Sequence, residues 1–219
     1  PHDSSEFITV QELRQSMKRL VFTLASLLMA GASLTANADG DAAAGEQKVA
    51  VCAACHGADG NSEISSNPKL AGQGERYTLK QLRDIKSGAR EVPLMTGLLD
   101  NMSDQDLEDI AAFYASQEIT LAGADPELIE LGAQIYRAGI ADLGVAACSA
   151  CHAPDGSGVA QAGFPALGGQ HAAYIESQMK AFRAGDRTND GDAMPMRNVS
   201  ERLTDREIEA LSSYISGLN

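Results

Sequence analysis

The sequence predicts an all-α protein built from two tandem copies of one domain. The first observation is an internal repeat: residues of the first half return 96 positions later around Cys52, 97 later around Pro68 and 101 later around Met95. The second is the spacing of apolar residues, which follows the period of amphipathic helices in several segments, with no competing strand alternation. The duplication therefore predicts that both copies share one helical fold.

Each copy is predicted to contain three principal helices. The last one begins at a capping residue, Ser103 or Thr204, followed by acidic residues that favour a helix start. The middle one is stopped by a glycine, Gly88 or Gly185. The predicted ranges are 41–54, 75–87 and 103 onward in the first copy, and 126–138, 172–184 and 204 onward in the second.

The four cysteines of the chain form two Cys-x-x-Cys-His motifs. Two thiols at this spacing can add across the vinyl groups of one porphyrin, and the histidine that follows then lies beneath the iron. The alternative is a pair of redox or zinc-binding sites. A four-cysteine zinc site usually joins its pairs across a short loop, whereas Cys55 and Cys148 lie 93 positions apart, and the strand-helix-strand context of a thioredoxin-like site is missing. We therefore expect two covalently attached haem c groups, held by Cys52, Cys55, Cys148 and Cys151, with His56 and His152 as axial ligands.

The beginning of the chain resembles a secretory signal. Two basic residues follow Met17, a mostly apolar run covers 20–34, and the small-residue cleavage site Ala36-Asn37-Ala38 comes next. A membrane anchor is the alternative, but a spanning helix needs about 20 largely apolar residues. We expect an upstream segment at 1–16, a signal peptide at 17–38, and domains at 39–118 and 119–219.

Composition narrows the class of protein. The net charge of −13 argues against binding to nucleic acid or to anionic lipid. The chain has no Trp and only 5% aromatic residues, which is little for two small cores unless buried porphyrins add apolar bulk. Acids and bases are divided almost evenly between the two copies, so charge predicts no strong dipole between them.

The sixth ligand of each iron decides what such a protein does. Outside the motifs, the expected mature chain has one histidine, His171, so ligation by two histidines at both haems is impossible. Among its methionines, only Met95 and Met196 are equivalent under the repeat, which makes them the predicted ligands. Met194 is the alternative in the second copy because it lies two residues away in a longer loop.

The other methionines are predicted to belong to the core. Met102 aligns with Leu203 of the second copy. Met179 shares a predicted helical face with Ile175 and Phe182. Neither position recurs as methionine in the other copy, so neither is a candidate ligand.

Several further residues are open to two interpretations. Pro68 and Pro165 either present a backbone carbonyl to the free nitrogen of the axial histidine or are ordinary turn prolines. His171 aligns with Gly74 and is expected to be a surface residue rather than a ligand. Basic side chains gather around the middle helix of the first copy and are candidates for offsetting haem propionates: Arg76, Lys80, Arg83, Lys86 and Arg90.

With these motifs, the chain resembles the cytochrome c4 family of dihaem electron carriers from the bacterial periplasm. The resemblance covers the whole expected mature chain and is most specific at 52–60, 69–77, 163–165 and 167–170. It implies two cytochrome c-like domains facing each other about a pseudo-twofold axis, with propionates near the interface and His/Met ligation at both irons. It also implies a monomer that takes electrons from a quinol-oxidising cytochrome bc complex and passes them to a haem-copper terminal oxidase, with peripheral membrane association left open.

Two other functions compete with a carrier. A dihaem peroxidase needs one haem with an open or displaceable ligand, which the symmetric Met95 and Met196 argue against. An electron-accepting subunit held permanently by a dehydrogenase needs a large apolar interface, and no exposed apolar run is predicted after residue 38. We therefore expect no enzymatic activity.

Overall fold

The computed structural model describes residues 40–218, so the predicted upstream segment and signal peptide lie outside the described residues. The first copy contains α1 (Ala42–Glu46), α2 (Ala50–His56), α3 (Glu75–Ser87) and α4 (Asp104–Ala115), with a 3₁₀ turn at Pro93–Met95. The second contains α5 (Ile129–Ala138), α6 (Ser149–His152), α7 (Ala172–Ala184), α8 (Pro195–Ser200) and α9 (Asp205–Ser216), with 3₁₀ turns at Ala141–Leu143 and Ala160–Ala162. Residues 40–218 contain isolated β-bridges but no strand, so the all-α prediction is confirmed.

The predicted helix ends agree with the structure where local chemistry sets them. Ser103 and Thr204 both form complete capping boxes, with the side chains of Asp106 and Glu207 as their partners. Gly88 ends α3 with a φ of 80°, and Gly185 ends α7 with a φ of 79°. Both glycines adopt the left-handed conformation that residues with a side chain rarely reach.

The predicted first helices differ from the structure in detail. The range 41–54 is divided into α1 and α2 because the Lys48 N–H donates to the Gly45 carbonyl at 2.9 Å, an i to i+3 bond that closes the first helix. In the second copy, the predicted start at residue 126 is three residues early. The side chain of Asp125 accepts from the Glu127 N–H at 2.9 Å and shapes a turn, so α5 begins at Ile129.

A close helix crossing organises each copy. A Cβ added to Gly45 on α1 would lie 2.1 Å from the Asp109 carbonyl oxygen on α4. A Cβ added to Gly132 on α5 would lie 2.3 Å from the Ala210 carbonyl oxygen on α9. Because neither crossing leaves room for a side chain, the backbones of the first and last helices meet directly in both copies.

The predicted core methionines are confirmed. Met179 is buried on α7 together with Ile175 and Phe182, and it contributes to the apolar cluster of the second copy. Met102 packs against the buried cluster of the first copy, and its counterpart Leu203 is buried in the second. These side chains are used in packing, which leaves Met95, Met194 and Met196 as candidate ligands.

One ion cluster distinguishes the first copy from the second. The Lys48 ammonium lies 2.7 Å from Asp106 and 2.5 Å from the buried carboxylate of Asp109. The Asp109 carboxylate also accepts from the Asp41 N–H at 2.9 Å. These contacts, with the bond from Lys48 the strongest, lower the pKa of Asp109 from 3.8 to about 2. In the second copy Ala210 stands at the position of Asp109, so the cluster is absent there.

The two copies face each other through a reciprocal set of hydrogen bonds. Gln170 bonds to the backbone of Lys69, accepting from its N–H and donating to its carbonyl, both at 2.8 Å. Gln73 bonds in the same way to the backbone of Ala166, at 2.9 Å and 3.0 Å. Under the repeat, Gln73 corresponds to Gln170 and Lys69 to Ala166, so the two bonded pairs are equivalent and demonstrate the pseudo-twofold relation.

The connection between the copies is also fixed by hydrogen bonds. Asn61 donates to the Glu118 carbonyl at 2.9 Å and accepts from the Thr120 N–H at 2.8 Å. The buried Lys69 ammonium donates to the carbonyls of Thr120 and Gly169. Within residues 40–218, none of the helices combines the length and the apolar character that spanning a membrane requires.

Candidate haem-binding sites

Both Cys-x-x-Cys-His motifs adopt the same arrangement at the end of a short helix. Cys52 and Cys148 are half-buried, whereas Cys55 and Cys151 are exposed. The histidine of each motif ends its helix and is buried, with 8% of His56 and 7% of His152 exposed. One half-buried and one exposed thiol beside a buried imidazole is an arrangement that fits attachment at the edge of a porphyrin.

The structure does not support the alternative uses of the cysteines. A redox-active pair needs a cysteine of lowered pKa. Here burial raises the pKa of the Cys52 thiol, and burial raises the pKa of Cys148 to about 11. Within residues 40–218, no three Cys, His, Asp or Glu side chains come together as a metal-binding cluster, so the two pairs do not form a zinc site.

The axial histidine candidates are oriented by backbone carbonyls. The His56 Nδ1 donates to the Pro68 carbonyl at 2.9 Å, and the His152 Nδ1 donates to the Pro165 carbonyl at 3.0 Å. Of the two interpretations of these prolines, the structure therefore supports the carbonyl partner. With the proton held on Nδ1, the Nε2 lone pair of each ring is free to bind a metal.

Electrostatics favours the neutral form of both rings. Burial lowers the pKa of His56 below 6.5, although the bond to the Pro68 carbonyl acts in the opposite direction. Burial also lowers the pKa of His152, against the same kind of opposing bond from Pro165. A neutral imidazole is the form that coordinates iron.

The three methionine candidates differ in exposure and backbone. Met95 lies half-buried at the end of the 3₁₀ turn, and Met196 lies half-buried in the first turn of α8. Met194 is 40% exposed and caps α8 with a φ of 49°. Burial therefore favours Met196 over Met194.

Apart from the candidate iron ligands, a cluster of polar side chains lies where α3 of the first copy meets α7 of the second. Arg90 donates to the Tyr174 hydroxyl at 2.9 Å, and Arg187 donates to the Tyr77 hydroxyl at 3.2 Å. Both guanidinium groups also donate to the side-chain oxygen of Gln81, at 3.0 Å and 3.1 Å. Desolvation opposes ionisation of Tyr77, but the charges of Arg187 and Arg90 outweigh it and lower the pKa of that hydroxyl.

These two arginines fit an anionic group. Neither forms an ion pair with a carboxylate of the described residues, although both are half-buried and share acceptors. Asp84 lies near Arg90 without forming an ion pair with it. Two neighbouring cations with no bonded carboxylate are unfavourable unless an anion joins them. By contrast, Lys80 and Arg83 pair with acids of their own copy. Arg76 and Lys86 donate to the backbone carbonyls of Gln161 and Met102, so Arg90 remains the candidate propionate partner among the five basic residues.

The prediction that His171 is a surface residue is wrong. His171 is half-buried at the start of α7, and its Nε2 bonds to the Ser62 carbonyl of the first copy at 2.7 Å. The aligned residue, Gly74, has no side chain and cannot make the equivalent bond, so this contact has no counterpart related by the pseudo-twofold axis. Sequence reasoning missed it because the neighbouring copy supplies the partner.

The sequence analysis named Arg90 but missed the other residues of this interface, although the signal was present. Tyr77, Gln81 and Arg90 recur 97 positions later as Tyr174, Gln178 and Arg187, which is the offset of the surrounding repeat. Polar residues kept through a duplication at equal spacing indicate a site shared by both copies. Only the structure shows that each set contacts the other.

Comparison with known proteins gives consistent matches. The family model described as Cytochrome c matches residues 42–118 and 129–219. Cytochrome c4 of Pseudomonas aeruginosa is 55% identical over 203 residues, which cover 93% of this chain and 100% of that protein. The crystal structure of reduced recombinant cytochrome c4 from Pseudomonas stutzeri matches with a TM-score of 0.81 at 58% identity, covering 82% of this chain and 100% of that one. The thiosulfate dehydrogenase electron acceptor of Stutzerimonas stutzeri is 34% identical over 171 residues, covering 76% of this chain and 78% of that protein.

Proposed function

Because this chain belongs to the cytochrome c4 family of dihaem electron-transfer proteins, we propose that it carries electrons between respiratory complexes in the bacterial periplasm. Its two haem c groups are attached through the cysteine pairs 52/55 and 148/151. A quinol-oxidising cytochrome bc complex is the proposed donor, and a haem-copper terminal oxidase is the proposed acceptor. Each haem supplies one-electron redox chemistry when bound.

In this proposal the first iron is held by His56 and Met95, and the second by His152 and Met196. For the histidines, the observation that carries it is the bond from each Nδ1 to a proline carbonyl, at 2.9 Å and 3.0 Å, because it holds the proton on Nδ1 and leaves Nε2 free for a metal in both copies. Met95 and Met196 would each supply a thioether ligand, which favours the reduced iron and raises the potential. With these four residues bound to the two irons, neither haem would offer a position to peroxide, so no enzymatic activity is proposed.

The half-buried arginines at the interface are the proposed partners of the propionates. Arg90 and Arg187 present donors from opposite copies to the same region, where the acceptor oxygen of Gln81 lies 3.0 Å and 3.1 Å from them. Carboxylates of the two haems would neutralise these charges. The proposed domains, 39–118 and 119–219, would then each contribute one haem and one arginine.

Electron transfer between purified complexes tests the proposed direction. The holoprotein, at catalytic concentration, is added to a quinol-reduced cytochrome bc complex and a haem-copper oxidase, and oxygen consumption is recorded. We expect consumption to depend on the holoprotein and to saturate with it. Absence of turnover, with both haems reducible by a chemical reductant, would rule out these partners.

A second candidate is an electron acceptor for a dehydrogenase, favoured by the likeness to the thiosulfate dehydrogenase electron acceptor. The two functions differ in which protein reduces the haems. A stopped-flow comparison of reduction by the cytochrome bc complex and by thiosulfate dehydrogenase with its substrate separates them. We expect faster reduction by the bc complex, and a reversed order would favour the second candidate.

A further inference from the structure

The side chain of Gln170, in the second copy, holds the peptide unit that orients His56 in the first. The Lys69 N–H donates to the Gln170 side-chain oxygen at 2.8 Å. The carbonyl of the same planar peptide unit belongs to Pro68, and it accepts from His56 Nδ1 at 2.9 Å. Because the C=O and N–H of a trans peptide point in opposite directions in one plane, fixing the N–H fixes the direction of the carbonyl.

The same relation holds in the opposite direction. The Ala166 N–H donates to the Gln73 side-chain oxygen at 2.9 Å. The Pro165 carbonyl of that peptide unit accepts from His152 Nδ1 at 3.0 Å. Each glutamine therefore acts on the histidine of the other copy.

Both glutamines are tightly constrained. Only 9% of Gln73 and 5% of Gln170 is exposed, and each amide nitrogen donates to the backbone carbonyl of the residue whose N–H its oxygen accepts. Each amide oxygen also accepts from the N–H of the next residue along the chain, at 3.1 Å in Gly74 and 3.0 Å in His171. A side chain whose amide oxygen and nitrogen are both bonded has one available orientation, so it can transmit a fixed geometry.

We infer that Gln73 and Gln170 are positioning residues that act across the domain interface, each setting the hydrogen bond to the axial histidine of the opposite haem. A stronger bond to Nδ1 makes the imidazole a more basic ligand and stabilises oxidised iron. Each domain thus tunes the redox centre of the other through its own glutamine. The inference rests on the proposed axial roles of His56 and His152.

The test replaces each glutamine by methionine, which keeps the length but removes both hydrogen bonds across the interface and the bond to the next N–H along the chain. Reduced holoprotein labelled with ¹⁵N-histidine gives a separate Nδ1–H signal for His56 and His152, and solvent exchange of each proton is measured. Loss of roughly one net hydrogen bond corresponds to about a tenfold change in the exchange rate of the Nδ1 proton. We expect Gln170→Met to speed exchange at His56 about tenfold and to leave exchange at His152 nearly unchanged, and Gln73→Met to do the reverse.

Gln178→Met is the matched control. Gln178 lies at the same interface and accepts from Arg90 at 3.0 Å and from Arg187 at 2.8 Å, but none of its hydrogen bonds goes to the backbone next to Pro68 or Pro165. We expect it to leave exchange at both histidines unchanged. If Gln178→Met has the same effect as Gln170→Met, general loosening of the interface explains the result and the inference is wrong.

A conservative variant separates positioning from folding. In Gln170→Glu, a neutral carboxyl at this buried position keeps an acceptor for the Lys69 N–H and a donor for the Lys69 carbonyl, so exchange at His56 should stay within about threefold of the parent protein. An increase as large as that of Gln170→Met would contradict the role assigned to the acceptor bond. The midpoint potentials of the two methionine variants provide a second measurement. In each variant, only the haem of the opposite copy is expected to rise in potential.

Failure of the proposed axial ligation would look different. If His56 did not bind iron, the Nε2 of its ring would titrate with pH both in the parent protein and in Gln170→Met. The effect of Gln73→Met or Gln170→Met on proton exchange at the histidine of the opposite copy is therefore a separate result from the identity of the iron ligands. Effects confined to the substituted copy would overturn the inference even with both ligands in place.

Discussion

The residue after each haem motif should decide a measurable part of the stability. Gly57 follows His56 with φ 81° and ψ 155°, and Ala153 follows His152 with φ 65° and ψ 156°. This region of backbone conformation is open essentially only to glycine. The second copy therefore carries an alanine in a strained conformation, held there in part by the Tyr136 hydroxyl, which donates to the Ala153 carbonyl at 2.6 Å.

The magnitude follows from two opposing terms. Relief of backbone strain in Ala153→Gly contributes about 1–3 kcal/mol, and the added freedom of glycine in the unfolded chain costs about 0.5–1 kcal/mol. The central values of these terms, about 2 and about 0.75 kcal/mol, leave a net stabilisation of about 1 kcal/mol. For a cooperative unit of this size, Tm changes by about 2–4 °C per kcal/mol, so Tm should rise by roughly 2–4 °C.

Thermal unfolding of the holoprotein, followed by far-ultraviolet circular dichroism, measures this change. The reverse variant, Gly57→Ala, is the matched comparison: it introduces the strain, and its Cβ would lie 2.8 Å from the Asn61 carbonyl oxygen. We expect Tm to rise in Ala153→Gly and to fall in Gly57→Ala. A Tm that is unchanged or lower in Ala153→Gly would refute the role given to backbone strain.

Three further predictions concern acid stability, ligation and attachment. Because the pKa of Asp109 is lowered from 3.8 to about 2, its contribution to stability is complete above about pH 4 and is lost as the pH falls toward 2; Asp109→Asn should flatten the urea-unfolding free energy over this range. Met196→Ala should open the second iron to carbon monoxide and lower its potential, as judged by absorption and redox titration, whereas Met194→Ala should not. Cys52→Ala and Cys148→Ala should each weaken or abolish haem attachment only in their own half, which mass spectrometry of proteolytic fragments would show; loss of both haems from either variant would contradict independent attachment.

Local chemistry explains why much of the fold could be predicted. The middle helices lie at 75–87 and 172–184 as expected, because a left-handed glycine ends each one at a position visible in the sequence. The break between α1 and α2 could not be predicted in the same way. The bond from Lys48 to Gly45 that closes α1 lies beside the crossing of Gly45 with α4 and the buried Val49, and both of these are tertiary contacts.

The residues of the candidate site also fall into two groups, those that the sequence identifies locally and those that depend on tertiary contacts. The cysteines and motif histidines are adjacent in sequence, so the motif by itself indicates their role. The partners across the interface are different, because Gln170 contacts Lys69 only where the two copies face each other about the pseudo-twofold axis. The repeat shows that such polar residues recur, but it does not show what they contact.

Axial ligation of both irons is the central claim, and one spectrum tests it directly. The oxidised holoprotein is examined in the near infrared for the charge-transfer band of methionine bound to ferric haem, with intensity calibrated per haem. Ligation by Met95 and Met196 predicts the full intensity of two haems, half of which should disappear in Met95→Ala and half in Met196→Ala. Half intensity in the parent protein would contradict this ligation, because one iron would then lack the thioether and the enzymatic alternative would be open again.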